Sequence, residues 1–209
     1  MSPPSDTFDG ITLRVGDVLL ERAGLDLNSI IISVGQKLGG SSKATTVHAA
    51  IYVGNGFRSE STGVGLSTVP FNHKNKWKIY RNSVRPDIAE CAADIAQNLV
   101  IRTKNDGGFG EYSKLRATKS AILPGRKKVH SANDVSNFLN NVSRYESHNA
   151  RTFFCSNFVV LCYSLASEFL STNPHFCIDL DYERASPGAM AEYFENHRPH
   201  WNRVGEIRG

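Results

Sequence analysis

Cys155 stands where Arg-Thr-Phe-Phe gives way to an apolar run, Cys-Ser-Asn-Phe-Val-Val-Leu-Cys-Tyr-Ser-Leu-Ala-Ser-Glu-Phe-Leu, over residues 155–170. The run predicts a helix that opens at the cysteine itself. A free thiol, with a pKa of about 8.5, is only a few per cent thiolate at neutral pH. At a helix N-terminus the unpaired amide hydrogens and the macrodipole favour the anion, and the same amides can hold the oxyanion of a tetrahedral intermediate. The chemistry on offer is nucleophilic attack on an acyl carbon. The plainer reading of a cysteine in such a run, a small buried apolar residue, stands beside it.

A thiol nucleophile needs a base. Val47, Ala49, Ile51 and Val53 alternate with His48, Ala50 and Tyr52, which predicts a strand over 46–53 with His48 on its second face. A strand holds an imidazole rigidly, as a base requires, although strand histidines also serve as ordinary packed or surface residues. Glu60 is placed by the hairpin turn that follows. A two-residue loop, Asn55-Gly56, pairs Glu60 with Ile51 and turns it away from His48. A three-residue loop, Gly54-Asn55-Gly56, pairs Ala50 with Glu60 and puts the carboxylate on the His48 face, one diagonal step away. Gly56 suits the left-handed position that closes the longer loop. Under that turn Glu60 would fix the imidazole tautomer and stabilise its cation.

The remaining histidines (His73, His130, His148, His175, His197 and His200) sit in polar, loop-like contexts that suit the surface. No His-x-x-x-His or His-Glu-x-x-His spacing and no phosphate-binding glycine loop occurs, so neither a metal, a nucleotide nor any other cofactor is expected. Cys91 and Cys162 fall on apolar helical faces and read as core; Cys177 has no assignment. Four cysteines are too few for a disulfide scaffold in a chain of 209 residues. Cys155 and Cys162, about 10 Å apart along one helix, are too distant to bridge. All four read as thiols.

The elements that must position these residues run along the chain in order. A first strand is expected over 15–21 and a short helix over 25–39, ended by Gly39-Gly40. The hairpin follows, its second strand reaching about Ser61, and then a strand at Trp77–Arg81. Pro86 suits a first helical position, with Ile88, Cys91, Ile95 and Leu99 along one face. Gly107-Gly108 breaks that pattern. Helical stretches are expected again at Tyr112–Leu123 and after Ser131, which with Asp134 resembles a capping start. Ser186-Pro187 opens a last helix, and Trp201–Ile207 reads as a terminal strand. Strands early and helices late predict an α+β fold, a small antiparallel sheet packed against helices, in a single domain over 1–209.

Composition narrows the function classes. Hydrophobic residues make up 40% and charged residues 21%, which is ordinary for a globular domain, and 11 Phe, 7 Tyr and 2 Trp argue against disorder. The net charge of +4 is spread along the chain, with one cluster at Arg126-Lys127-Lys128, which reads as a solvated loop or a contact for an anionic polymer. Without zinc-finger spacing or an aromatic-interleaved basic helix, nucleic acid is not an expected partner. No apolar stretch approaches the roughly 20 residues of a transmembrane helix. The first ten residues lack a basic head and an apolar run, so no secretory signal is expected and the protein should be made in the cytoplasm.

Val-Gly-Asp-Val-Leu-Leu at 15–20, Val-His-Ala-Ala-Ile-Tyr-Val-Gly-Asn-Gly at 47–56 followed by Glu60, and Phe-Cys-Ser-Asn-Phe-Val at 154–159 together resemble the circularly permuted NlpC-type branch of papain-like cysteine hydrolases. Ala-Ser-Pro-Gly-Ala-Met-Ala-Glu-Tyr-Phe at 185–194 resembles that branch's final helix. The resemblance spans about residues 13–197. It implies a papain-like fold with the histidine strand ahead of the cysteine helix, Cys155 as nucleophile, His48 as base, Glu60 as third member and Tyr112 as a pocket-lining residue. Family members often carry Glu after the Cys-Ser pair where this chain has Asn157, so the subfamily stays open. The activity implied is amide hydrolysis, by a peptidoglycan endopeptidase or amidase with a peptide or cell-wall substrate. For a chain without a signal this means export by a dedicated secretion system as an antibacterial effector, with an immunity or inhibitor protein as partner. The branch also contains lecithin retinol acyltransferase-like enzymes, which implies a lipid-directed acyltransferase or thioesterase as the alternative. A non-catalytic binding module on the same fold is the third reading.

Overall fold

Alternating apolar residues build the centre of the molecule. In the computed structural model, which describes residues 6–22, 45–62, 65–105, 155–170, 178–180 and 185–208, β3 (Val18–Arg22) lies between β4 (Thr46–Gly54) and β7 (Trp77–Asn82). β5 (Phe57–Thr62) and β6 (Gly65–Pro70) extend the sheet on one side, and β8 (Trp201–Ile207) on the other. The order is β6-β5-β4-β3-β7-β8, antiparallel throughout. A separate hairpin, β1 (Asp6–Phe8) and β2 (Ile11–Leu13), precedes it. Three described helices accompany the sheet: α1 (Pro86–Asn105), α2 (Cys155–Phe169) and α3 (Pro187–Asn196). The fold is α+β, with an antiparallel sheet packed against helices.

Side chains alternate between the two faces of the sheet, and each face carries its own core. Val18, Leu20, Ala49, Ile51, Val53 and Tyr80 pack with the three helices. Leu19, Ala50, Tyr52, Trp77, Ile79 and Ile207 fill the opposite face together with Leu13 and Phe71, and Phe8 and Ile11 of the β1–β2 hairpin lie against them. α2 carries the most apolar sequence and is buried from Cys155 through Ser167. Its direction follows from two contacts. Cys155 acts on His48 near the start of β4, and the Tyr163 hydroxyl donates to the carbonyl of Gly16, whose N–H in turn bonds to the Tyr52 carbonyl. Eight residues of helix rise about 12 Å and four residues of strand advance about 13 Å, so α2 runs along β4 in the same direction.

Several expectations need correction. The strand expected at 15–21 begins at Val18, because Val15-Gly16 forms a turn. Gly16 has φ +86°, and a Cβ there would lie 2.3 Å from the Ala89 carbonyl oxygen, so only glycine lets α1 approach so closely. β1, β2 and β6 were not anticipated from the sequence. On α1 the buried positions are Ile88, Ala89, Ala92, Ala93, Ala96 and Val100, whereas Cys91, Ile95 and Leu99 only flank the seam. Alanines bring the helix close, and the larger residues fit at its margins; Cys91 is therefore half-buried rather than core, while Cys162 is fully buried. The last helix starts as expected: Pro187 takes the first turn and the Ser186 hydroxyl accepts from Ala189 N at 3.1 Å. The helices expected at 25–39, 112–123 and after Ser131, the loop at 126–128, Tyr112 and Cys177 all lie outside the described residues.

Candidate active site

The hairpin that delivers His48 and Glu60 combines the two turns weighed from sequence. Gly54 pairs with Phe57 across Asn55-Gly56, whose φ values of +55° and +74° fit a two-residue turn of the primed type. Val53 is then an extra residue on β4, and from Tyr52 inward the register is that of the longer loop, with Ala50 opposite Glu60. The bulge, rather than the turn, brings the carboxylate to the histidine. A second irregularity at the start of β4 leaves Val47 extra, since Glu21 pairs with His48 but Arg22 pairs with Thr46. It bends the strand beside His48.

By alternation, His48, Glu60, Arg58 and Glu21 belong to the face opposite the helices, whereas Cys155 belongs to the helix-side core. Thiol and imidazole meet at the margin of the sheet, where α2 begins alongside the first residues of β4. There His48 Nε2 lies 2.9 Å from Glu60 Oε2, and Cys155 is near enough to the ring to raise its pKa. With Nε2 engaged by Glu60, Nδ1 is the ring nitrogen left for the thiol. The helix predicted to open at Cys155 does open there, so its first backbone amides border the sulfur.

Electrostatics follow from these contacts. Burial alone would drive His48 towards neutrality, but the charge and hydrogen bond of Cys155, followed by those of Glu60, push its pKa from 6.5 up to about 10. Burial likewise opposes the Glu60 carboxylate, and the hydrogen bonds and charges of His48 and Arg58 outweigh it and hold the pKa below the ordinary 4.5. At neutral pH the arrangement is an imidazolium between a carboxylate and a sulfur. Cys155 is only 3% exposed, while the His48 side chain is 19% exposed.

Three neighbours were not singled out from the sequence. Arg58 Nε donates to Glu60 Oε2 at 2.7 Å, and its guanidinium lies 5.1 Å from the Trp77 ring centroid. Trp77 meets the His48 ring edge-on, with 6.3 Å between centroids. Glu21 stands directly across the ladder from His48, and its Oε1 accepts from Asn75 Nδ2 at 2.6 Å; burial raises its pKa. Arg58 was legible, since two residues before Glu60 on a strand means the same face. Glu21 was not, because its place opposite His48 is set by the register between β3 and β4, two strands far apart in the chain.

His73 and His197 are exposed, as expected for surface histidines. Among the described residues no group of three or more His, Cys, Asp or Glu side chains is arranged to hold a metal ion, and no helix is long and apolar enough to cross a membrane. No family model matches the chain, and no curated protein matches it.

Proposed function

We propose that the protein is a cysteine hydrolase of permuted papain-like architecture that cleaves an amide bond through an acyl-enzyme on Cys155. The observation that carries this reading is the position of His48, held by Glu60 through one ring nitrogen with the Cys155 sulfur as its other partner. In the proposed reaction the Cys155 sulfur, as thiolate, attacks the carbonyl carbon, and the amides that open α2 receive the oxyanion. The C–N bond breaks as the His48 imidazolium gives its proton to the departing amine, leaving a thioester. His48, now neutral, takes a proton from water; the hydroxide adds to the thioester carbon, and the acid leaves as the thiolate and imidazolium are restored. Glu60 stabilises the cation at each protonated stage.

The three motifs around residues 15–20, 47–60 and 154–159 support peptide stems of bacterial peptidoglycan as the substrate class. Purified protein incubated with sacculi should release new muropeptides, and Cys155→Ala should release none. Equal products from both would remove Cys155 from the chemistry. A fatty-acyl rather than a peptidyl adduct on Cys155, read by mass spectrometry, would move the substrate to lipids.

A further inference from the structure

Glu60 carries two cationic partners on one oxygen. His48 Nε2 and Arg58 Nε both reach Oε2, at 2.9 and 2.7 Å, and Arg58 Nη2 stands 3.4 Å from Oε1. Arg58 is itself fixed from several sides. Its Nη1 donates to the Pro70 carbonyl at 2.8 Å, the end of the neighbouring strand β6, and its guanidinium lies over Trp77. The residue is buried, and its fork spans both carboxylate oxygens. A carboxylate gripped in this way cannot turn about its last torsion, and the imidazole bonded to it cannot turn either.

We propose that Arg58 is a positioning residue of the Cys155–His48–Glu60 unit: it pins Glu60 ionised and in one orientation, and thereby holds the His48 ring with its second nitrogen towards the sulfur. The inference rests on the hydrolase reading above and adds to it a fourth residue, which acts only through Glu60. Arg58 also balances charge. Without it, Glu60 would face the cost of burial and the nearby Glu21 carboxylate with His48 as its one remaining named cation, and would take up a proton at a higher pH than in the intact site. The competing view is a clip that merely ties β5 to β6 through Pro70.

Alkylation of Cys155 by iodoacetamide tests the proposal without a known substrate, with peptide mapping to separate Cys155 from the other three cysteines. Rates are measured on the full chain from pH 5 to 9 for the wild type, Arg58→Met, Arg58→Lys, Glu60→Gln and the double variant R58M/E60Q. Arg58→Met should slow alkylation about tenfold and raise the pH below which reactivity is lost, by the equivalent of about one pKa unit. Arg58→Lys should keep that pH in place, because it keeps the charge, yet remain several-fold slow because it lacks the fork. The double variant should be no slower than Glu60→Gln alone.

Wild-type reactivity in Arg58→Met, or a double variant slowed by the product of the two single effects, would overturn the proposal and leave Arg58 as a clip. Should Arg58→Met fail to fold, Arg58→Lys decides: slowed alkylation with the pH profile held supports the proposal, and a wild-type rate refutes it. A wild-type thiol no faster than a model thiol at pH 6, and indifferent to Glu60→Gln, has a different meaning. It would end the hydrolase reading and this proposal with it.

Discussion

Asp17 and Glu60 are both buried carboxylates held by an arginine, one at the end of β3 that meets Tyr52, the other near the end that meets His48. At Asp17 the donors named in the structure are all permanent ones. Arg81 donates through Nε to Oδ1 and through Nη2 to Oδ2, both at 2.7 Å, and the Arg14 amide adds a bond of 2.8 Å to Oδ2. Glu60 instead shares its Oε2 between Arg58 and a titratable ring. The two respond to their surroundings in opposite directions: burial raises the Asp17 pKa despite Arg81, whereas His48 and Arg58 hold that of Glu60 down despite burial. A carboxylate with permanent donors fixes turns and helices in place; one that shares an oxygen with an imidazole can pass charge to a neighbouring sulfur. The difference lies in whether one of the donors can titrate.

If this division is right, changes at one end should alter reactivity and changes at the other only stability. The largest effect belongs to Glu60→Gln, which keeps the shape but loses the charge behind His48. Alkylation of Cys155, or turnover once a substrate is found, should fall about a hundredfold, with the fold retained by circular dichroism. A drop of less than threefold would erase the distinction between the two carboxylates. Gly16→Ala, beside Asp17, should act the other way. Its Cβ would meet the Ala89 backbone at φ +86°, so urea denaturation should show a loss of about 2 kcal/mol or more, with Cys155 alkylated at the wild-type rate in the folded fraction.

Acid titration of stability gives the smallest and sharpest contrast. Glu60 has a folded-state pKa below its unfolded 4.5, so its contribution is present above 4.5 and is lost as pH falls through the folded value. Asp17 has a folded-state pKa above 3.8, so the folded chain binds its proton more readily than the unfolded chain, and acidification through that range favours the fold. Denaturant midpoints from pH 6 to 3 should therefore fall less steeply in Glu60→Gln and more steeply in Asp17→Asn than in the wild type. Parallel curves for the two variants would show that the carboxylates are alike after all.

Much of this was legible beforehand, for local reasons. The 46–53 alternation, the Ser186-Pro187 start and the Trp201–Ile207 strand each carry their signal within a few residues, and the structure keeps them. The helix opening at Cys155 was read from one composition change. The hairpin was harder, because turn length and register usually go together, and a bulge at Val53 separates them here. Gly65–Pro70 becomes a strand only through its pairing with β5, its own sequence being weakly patterned. The Asp9-Gly10 turn between β1 and β2 was visible as an Asp-Gly pair but is flanked by strands of three residues, too short for alternation to register. On α1 the large apolar residues carry the more visible sequence pattern, whereas alanines set most of the packed face. Arg58 could be found from its spacing to Glu60 on one strand, whereas Glu21 enters the site through a cross-strand neighbour, information that no single segment holds.

The sulfur, ring and carboxylate act as one unit, and the His48 ring reports on that directly. Its C–H resonances should be followed by NMR as pH is raised, in the wild type and in Cys155→Ala. The wild-type ring should stay protonated through neutral pH and titrate at about 10, and removal of the sulfur, the largest of the influences that raise it, should bring the midpoint down. A wild-type midpoint near the ordinary 6.5, or one that Cys155→Ala leaves unmoved, would contradict the account.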